Sequence, residues 1–290
     1  MGAPAILAED VYREELARIG AEDGRVVCVE ALPRGARHPF ETAHPDRFFQ
    51  LGSVEGAMVS MVEGLVTAGF RVFVCGLGTD LGAARLPRLT LAYLQAGASV
   101  VVPDTHVDPT ELLRTPRVRI AAPCGVQEIR AVVRSAARSV RPYHIRIGAG
   151  APADVAADWV GVGDGAGDGG IPSVVWDVVE DAWHHEDAGV CMISVGEDGT
   201  RLALAARERS TGPAHAHLVY LDDSHLAAAA GELARRYDRF VVLGGHQGPD
   251  GVQKRLSRLM LGCDVLVVSL SGELAADVDQ VLSTVKGLRQ

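Results

Sequence analysis

The sequence predicts an α/β protein with two domains, each a mostly parallel sheet flanked by helices. Apolar, strand-like runs alternate with helix-like stretches in both halves of the chain, which is the pattern of a parallel sheet covered on both faces. A glycine-rich stretch over residues 149–172 separates the halves, and 290 residues suffice for two domains of ordinary size. We therefore predict a first domain over residues 1–150, a linker over 151–188 and a second domain over 189–290.

The composition excludes several classes of protein. The net charge is −9, from 28 basic and 37 acidic side chains, and there is no basic stripe, so we expect neither nucleic acid nor an anionic membrane as a partner. Because the chain has no apolar run of 18 residues and no signal-peptide pattern, we predict a cytoplasmic location. The five cysteines are scattered, without a Cys-x-x-Cys pair, and are predicted to be buried reduced thiols.

The first domain carries the clearest helical pattern of the chain. Met58, Met61, Val62 and Leu65 recur at positions i, i+3, i+4 and i+7, which predicts a helix with one buried face. Gly69 follows the last of them and predicts the end of that helix. The other predicted elements are helices over 8–19 and 86–96 and strands over 25–29, 71–75 and 99–102.

The second domain alternates predicted strands and helices up to its C-terminal end. The predicted strands cover 190–195, 217–221, 240–246 and 265–269, and the predicted helices cover 199–207, 226–237 and 251–261, followed by a final helix. Two histidine pairs, His184-His185 and His215-x-His217, occur in this half. Neither pair has a third ligand nearby in the sequence, so we predict no metal site in this chain.

One stretch of the first domain combines many signals at fixed spacing. It contains Pro45-Asp46-Arg47-Phe48, Gly52, Glu55, Met58-Val59, Gly64-Leu65 and Gly69-Phe70-Arg71. This arrangement resembles the pyrimidine-binding domain of transketolase and its thiamin diphosphate relatives. Residues 109–147 and 240–252 extend the resemblance to the end of that domain and into the transketolase C-terminal domain.

The resemblance implies that Glu55 is both the catalytic and the main cofactor-binding residue. In that family the matching glutamate hydrogen-bonds N1′ of the aminopyrimidine, a task that needs a carboxyl able to hold a proton at neutral pH, as burial between apolar walls allows. The resemblance also places Leu77 and Asp80 against the cofactor, where the family has aromatic residues and this chain has none between Phe73 and Tyr93. Independently of any ligand, an acid at a helix start is favoured by the unpaired N–H groups there.

Two further residues are implied in substrate binding. His106 lies where the family has a longer loop with histidines, and Arg146 matches an arginine that contacts the sugar substrate; a loop histidine and a structural ion pair are the alternatives. Gly-Asp-Gly triplets at 163–165 and 167–169 look like the family's magnesium motif. The chain contains no asparagine to complete that motif, so we assign both triplets to a flexible loop.

The resemblance also predicts a partner subunit. A complete transketolase begins with a domain that binds the diphosphate and Mg²⁺, whereas this chain begins with the pyrimidine domain. We therefore expect the C-terminal subunit of a split, thiamin diphosphate-dependent transketolase-like enzyme that transfers a two-carbon ketol unit between sugar-like substrates. An N-terminal-like partner with a Gly-Asp-Gly…Asn motif would hold most of the thiamin diphosphate and the Mg²⁺, in a heterotetramer or a dimer of heterodimers.

Two alternatives stay open. The β subunit of a 2-oxo-acid decarboxylase or dehydrogenase has the same two domains. A non-catalytic scaffold subunit would keep the fold without the chemistry. The lost aromatic residues favour the scaffold, whereas the presence of Glu55 favours an enzyme.

Overall fold

The computed structural model describes most of the chain. The described residues are 6–31, 37–50, 55–77, 85–103, 112, 115, 117–150, 160–162, 174–176, 189–210, 213–244, 251–268 and 273–288. The chain divides into two compact units, Met1–Pro152 and Ala153–Gln290. Among the described helices, none combines the length and the apolar character needed to cross a membrane.

The first unit is built on a six-stranded parallel sheet. Its described helices are α1 (Ala8–Glu22), α2 (Pro39–Ala43), α3 (Glu55–Thr67), α4 (Arg85–Gln95) and α5 (Val126–Arg138). Its strands are β1 (Val26–Glu30), β2 (Phe48–Gln50), β3 (Arg71–Cys75), β4 (Ser99–Pro103), β5 (Arg119–Ala121) and β6 (Tyr143–Ile147), in the order β2-β1-β3-β4-β6-β5. Strands β1 and β6 are buried along their whole length, as expected of parallel strands covered on both faces.

The second unit contains a six-stranded mixed sheet. Its strands are β7 (Val160–Val162), β8 (Val174–Trp176), β9 (Val190–Val195), β10 (Ala214–Leu218), β11 (Arg239–Gly244) and β12 (Asp264–Val268), in the order β12-β11-β9-β10-β8-β7. Its helices are α6 (Gly196–Arg209), α7 (Asp223–Leu233), α8 (Val252–Leu259) and α9 (Leu274–Gly287). Among the described strands of this sheet, β8 alone runs antiparallel to its neighbours, β10 and β7. The predicted fold class, two mostly parallel sheets flanked by helices, is confirmed.

Part of the predicted linker belongs to this second sheet. Strands β7 and β8 both lie within residues 151–188, and β8 pairs with β10. Each strand has only three residues, and β7 includes a glycine within a glycine-rich stretch. The sequence is strand-like over residues 173–179, which contain β8, whereas β7 is too short to be distinguished from a connection by sequence pattern.

The start of β10 is also earlier than predicted. The strand includes His215 and His217, and both side chains are fully buried. The predicted strand began at His217 and left out His215, because the continuous apolar run begins only at Leu218 and histidine is intermediate in its tendency to be buried. In this strand the histidines face inward and are paired with hydroxyl groups.

A buried carboxylate joins two helices of the first unit. Glu15 of α1 accepts hydrogen bonds from Arg18 and from Arg134 of α5, each at 2.5 Å. Burial would raise the pKa of Glu15, but the hydrogen bonds from the two arginines outweigh that effect and lower it. Glu15 therefore fixes α1 against α5, and with them one covering layer of the sheet.

Candidate active site

The candidate site lies where β1, β2 and β3 end side by side. In the register of the sheet, Glu30 at the end of β1 pairs with Gln50 at the end of β2 and with Cys75 at the end of β3. The chain passes from β1 to β2 on one side and continues to β3 on the other, so this is a topological switch point. Ligands of open α/β sheets bind outside the carboxyl ends of the strands at such a point.

Helix α3 begins at this edge with Glu55. The helix follows the end of β2, and its first residue is Glu55. The first N–H groups of a helix lack intrahelical partners and favour a negative or hydrogen-bonding group. The side chain of Glu55 lies outside the described part of the structure, so its catalytic role stays a prediction.

The Pro-Asp-Arg-Phe motif before β2 has a structural function. The Arg47 guanidinium donates to three backbone carbonyl oxygens, those of Gly20 at 2.9 Å, Asp23 at 3.2 Å and Val26 at 3.1 Å. It also donates to Nδ1 of His44 at 2.9 Å. Arg47 thus ties the single 3₁₀ turn before β2 to the end of α1 and the start of β1. This fixes the position from which the chain proceeds to Glu55.

A close contact between α1 and the segment before β2 depends on Gly20. A Cβ atom at Gly20 would lie 2.5 Å from Cε2 of Phe40 and 2.7 Å from Cδ2 of His44. Phe40 is fully buried, and its ring packs edge-on against His44 with centroids 4.9 Å apart. Only glycine allows this approach, so the sequence specifies the geometry that precedes the site.

Of the other four predicted site residues, two lie in the described part of the structure and two do not. Leu77 lies two residues beyond the end of β3 and is 1% exposed. Arg146 lies in β6 beside Val102 of β4 and is 4% exposed. Asp80 and His106 lie outside the described residues. Leu77 and Arg146 come from strands separated by β4, so the sheet spacing puts their strands about 10 Å apart.

His144 is a buried group that sequence reasoning did not select. It shares a face of β6 with Arg146, because residues two apart on a strand point the same way. It is fully buried, and neither ring nitrogen has a hydrogen-bond partner in the described structure. Burial, with the nearby Arg146 charge, lowers the pKa of His144 to about 3, so the ring is neutral at physiological pH.

A thiol and imidazole cluster was also missed. All five cysteines lie in the described part of the chain, and none forms a disulfide. Two of them, Cys28 and Cys75, converge with His38, and their ligand atoms lie within 4.8 Å of one another. The sequence suggested both strands but not their register, and the register of β1 against β3 is what brings the sulfurs together.

An ion pair lies beside this cluster. Arg13 of α1 contacts Glu30 at 3.4 Å and Glu9 at 2.7 Å. Burial raises the pKa of Glu30, partly offset by His38 and Arg13. The layer between the first sheet and α1 therefore holds several ionisable groups next to the switch point.

Curated proteins that resemble the chain are 1-deoxy-D-xylulose-5-phosphate synthases. The protein from Nitratidesulfovibrio vulgaris is 30% identical over 153 residues, which are 47% of this chain and 24% of that protein. The protein from Oleidesulfovibrio alaskensis is 27% identical over 281 residues, covering 89% of this chain and 41% of that protein. The chain thus matches less than half the length of these relatives. No protein-family model matches the sequence.

Solved structures match the entire chain. A chain described as "Split gene transketolase, inactive beta4 tetramer" has a TM-score of 0.75 at 19% identity and covers 99% of this chain and 100% of its own length. Transketolase from Leishmania mexicana has a TM-score of 0.68 at 14% identity, over 100% of this chain and 46% of that chain.

The protein therefore has the fold of the transketolase type, and the resemblance inferred from its sequence is confirmed. More particularly, it corresponds in extent to the separate chain of the split transketolase and to about half of the undivided one.

Proposed function

We propose that this chain is the C-terminal subunit of a split, thiamin diphosphate-dependent transketolase-like enzyme that transfers a two-carbon ketol unit between sugar-like substrates. The observation that carries the proposal is the match in extent, since the fold coincides with a split transketolase chain from end to end. The likeness to 1-deoxy-D-xylulose-5-phosphate synthases supports it independently through sequence.

The residues at the carboxyl edge fit such a cofactor in part. Helix α3 begins with Glu55 beside the switch point, where a carboxyl can meet an aminopyrimidine. Leu77 occupies an aromatic position of the family and is 1% exposed, so a ligand reaches it only if the residues that cover it move. Against an aliphatic side chain, a ring loses the geometry-dependent part of stacking, about 0.5–1.5 kcal/mol.

Each predicted residue has a distinct proposed task. The Glu55 carboxyl would hold a proton and donate a hydrogen bond to N1′ of the aminopyrimidine, and Leu77 and Asp80 would flank that ring. Arg146 and His106 would bind the oxygens of the sugar substrate. The bound thiamin diphosphate would supply the nucleophilic carbon for two-carbon transfer.

A partner subunit completes the proposed site. It would carry the Gly-Asp-Gly…Asn motif, hold Mg²⁺ and the diphosphate, and assemble with this chain as a heterotetramer or a dimer of heterodimers. The solved split chain is described as an inactive β4 tetramer, and by analogy we expect this chain to be inactive alone. In the cell we expect the complex in the cytoplasm.

Mixing tests the proposal. The purified chain alone should bind thiamin diphosphate weakly and show no ketol transfer. Addition of a partner that carries the diphosphate-binding domain should produce turnover and raise cofactor affinity, measured by coupled assay and calorimetry. Ketol transfer by this chain in the absence of any partner would exclude the split arrangement.

A second candidate is supported by the names of the sequence relatives. They are 1-deoxy-D-xylulose-5-phosphate synthases. The alternative function for this chain is that of the β subunit of a 2-oxo-acid decarboxylase or dehydrogenase. Incubation of the assembled pair with pyruvate and, separately, with a ketose phosphate distinguishes the two. Carbon dioxide released from pyruvate would indicate the decarboxylating function, whereas transfer from the ketose phosphate without carbon dioxide would indicate a transketolase. A complex that forms but does neither would indicate a scaffold.

A further inference from the structure

Three soft or borderline ligand groups meet in the buried layer between the first sheet and its covering helices. Cys28 of β1, Cys75 of β3 and His38 before α2 are all buried, and their ligand atoms lie within 4.8 Å of one another. The Sγ atom of Cys28 is 4.0 Å from Nε2 of His38. Convergence of two sulfurs and an imidazole inside a buried layer is a donor set for a metal ion.

The hydrogen bond to His38 limits which metal ion the cluster can bind. The backbone N–H of Phe40 donates to Nδ1 of His38 at 3.1 Å, and this bond caps α2. Nδ1 therefore carries the lone pair, and the proton of the neutral ring is on Nε2, which faces the sulfur. A Cys₂His zinc site needs the lone pair on Nε2, which would place a second N–H against that of Phe40 and remove the cap.

The two sulfurs are also poorly placed for a disulfide. Cys28 pairs in register with Phe73, and Cys75 pairs with Glu30, so the cysteines are diagonal neighbours two residues out of step. From strand spacing and rise, their Cα atoms are about 8 Å apart, whereas disulfides rarely span more than about 7 Å. The arrangement suits an atom inserted between the sulfurs better than a direct bond.

We propose that Cys28 and Cys75 form a two-coordinate dithiolate site for a soft monovalent cation, Cu⁺, with the Nε2–H of His38 as a hydrogen-bond donor to the sulfurs. Two metal–sulfur bonds of about 2.3 Å each can bridge sulfurs up to about 4.6 Å apart, and the ligand atoms of this cluster all lie within 4.8 Å of one another. Thiolates select Cu⁺ over harder cations.

The site also lies near a cationic side chain and at the end of β3. The guanidinium of Arg13, beside Glu30 in the same layer, offsets part of the negative charge. Because Cys75 ends β3 directly before Gly76 and Leu77, an occupied site would also fix the strand end that leads into the candidate active site.

Copper titration of the full chain tests the site. Cu⁺ is supplied anaerobically from a chromophoric Cu⁺ chelator, both to the folded protein and during refolding, because metal binding can be coupled to folding. We expect one tightly held Cu⁺ per chain, with two sulfur ligands and no nitrogen in X-ray absorption. Cys28→Ala and Cys75→Ala should each weaken binding at least about tenfold, and the equally buried Cys191→Ala of the second unit should not.

His38→Asn separates the copper site from a zinc site. Asparagine can still cap α2 but provides no imidazole, so the variant should retain one Cu⁺ with two sulfur ligands. Circular dichroism confirms that each variant is folded. Failure of the wild-type chain to bind Cu⁺ under either loading condition would overturn the proposal. So would one tightly bound Zn²⁺ per chain that is lost in His38→Asn.

Discussion

Each of the two sheets has a topological switch point, and the residues that lie there differ between the sheets. In the first sheet β1 lies between β2 and β3, and α3 begins with Glu55 beyond the end of β2. In the second sheet β9 lies between β11 and β10, and the first turn of α6 packs directly on the end of β11. A Cβ at Gly199 would lie only 2.4 Å from the carbonyl oxygen of Leu243. Among the described residues, backbone contact between α6 and β11 therefore closes this part of the switch point of the second sheet.

The two units also differ in the arrangement of their buried polar groups. In the second unit His215 lies 2.8 Å from the Ser194 hydroxyl, and Thr200 lies 3.1 Å from His217 and donates to the Gly196 carbonyl at 2.8 Å. These groups satisfy one another inside the core, which is the usual state of buried polar atoms. The first unit instead gathers thiols, an ion pair and a helix-terminal acid around its switch point. Chemistry is therefore expected at the first edge and not at the second.

The largest predicted effect concerns Glu55 at the carboxyl edge of the first sheet. In the assembled pair, Glu55→Gln should lower kcat by about 10²–10⁴-fold, because the amide keeps the shape of the side chain and cannot exchange a proton with N1′. Glu63→Gln, on the exposed side of the same helix, is the matched control and should leave kcat unchanged. Steady-state kinetics with saturating thiamin diphosphate provides the measurement. Full activity of Glu55→Gln would remove Glu55 from the mechanism.

Buried histidines should make stability depend on pH. His144 has a folded pKa of about 3, below its unfolded value of about 6.5. The unfolded chain therefore takes up the proton first, so this contribution to stability is complete above pH 6.5 and is lost as the pH falls toward 3. A shift of this size corresponds to about 5 kcal/mol.

The difference between wild type and His144→Leu isolates this contribution. The leucine variant cannot take up the proton, so its unfolding free energy should fall less between pH 6.5 and 3 than that of the wild type. Denaturant unfolding at several pH values measures both curves. Parallel curves would mean that His144 does not stay neutral in the folded protein.

The contact between α6 and the end of β11 in the second sheet should not tolerate one added methyl group. Gly199→Ala should destabilise the chain by about 3 kcal/mol, because the new Cβ meets the backbone of Leu243 and neither element can yield. Gly231→Ala in α7 is the control: its Cβ meets nothing within 4 Å, and alanine should stabilise that helix by about 0.5–1 kcal/mol. Chemical denaturation compares the two. Equal stability of both variants would contradict the close packing.

The sequence was sufficient to predict the fold class and the position of α3. Physical reasons explain why other features could not be predicted from it. The repeat of Met58, Met61, Val62 and Leu65 predicts a helix because its apolar side chains must share one face. The Cys28–His38–Cys75 cluster depends on the register between two strands, which no local pattern encodes. Strand β10 was predicted to begin at His217 and not before His215, because two histidines interrupt an apolar run, and their hydroxyl partners explain why both rings are buried.

The Pro-Asp-Arg-Phe motif illustrates how resemblance and structure answer different questions. The motif helps to identify the family, and in this fold its arginine bonds to the chain's own backbone, since Arg47 donates to the carbonyls of Gly20, Asp23 and Val26. Its contribution to function passes through the position of β2 and thus of Glu55. A residue can mark an active site in sequence because it builds the approach to that site.

The smallest predicted effect tests that structural role. Arg47→Lys should destabilise the first unit by about 2 kcal/mol, because an ammonium group cannot reproduce the planar set of donors to three carbonyl oxygens. Arg25→Lys is the control: Arg25 is exposed and bonds locally to Asp23, so it should change stability by less than about 1 kcal/mol. Denaturant unfolding gives both values. If Arg47→Lys left stability unchanged and weakened thiamin diphosphate binding in the assembled pair, Arg47 would contact the ligand, and the division between a structural motif and a chemical edge would be wrong.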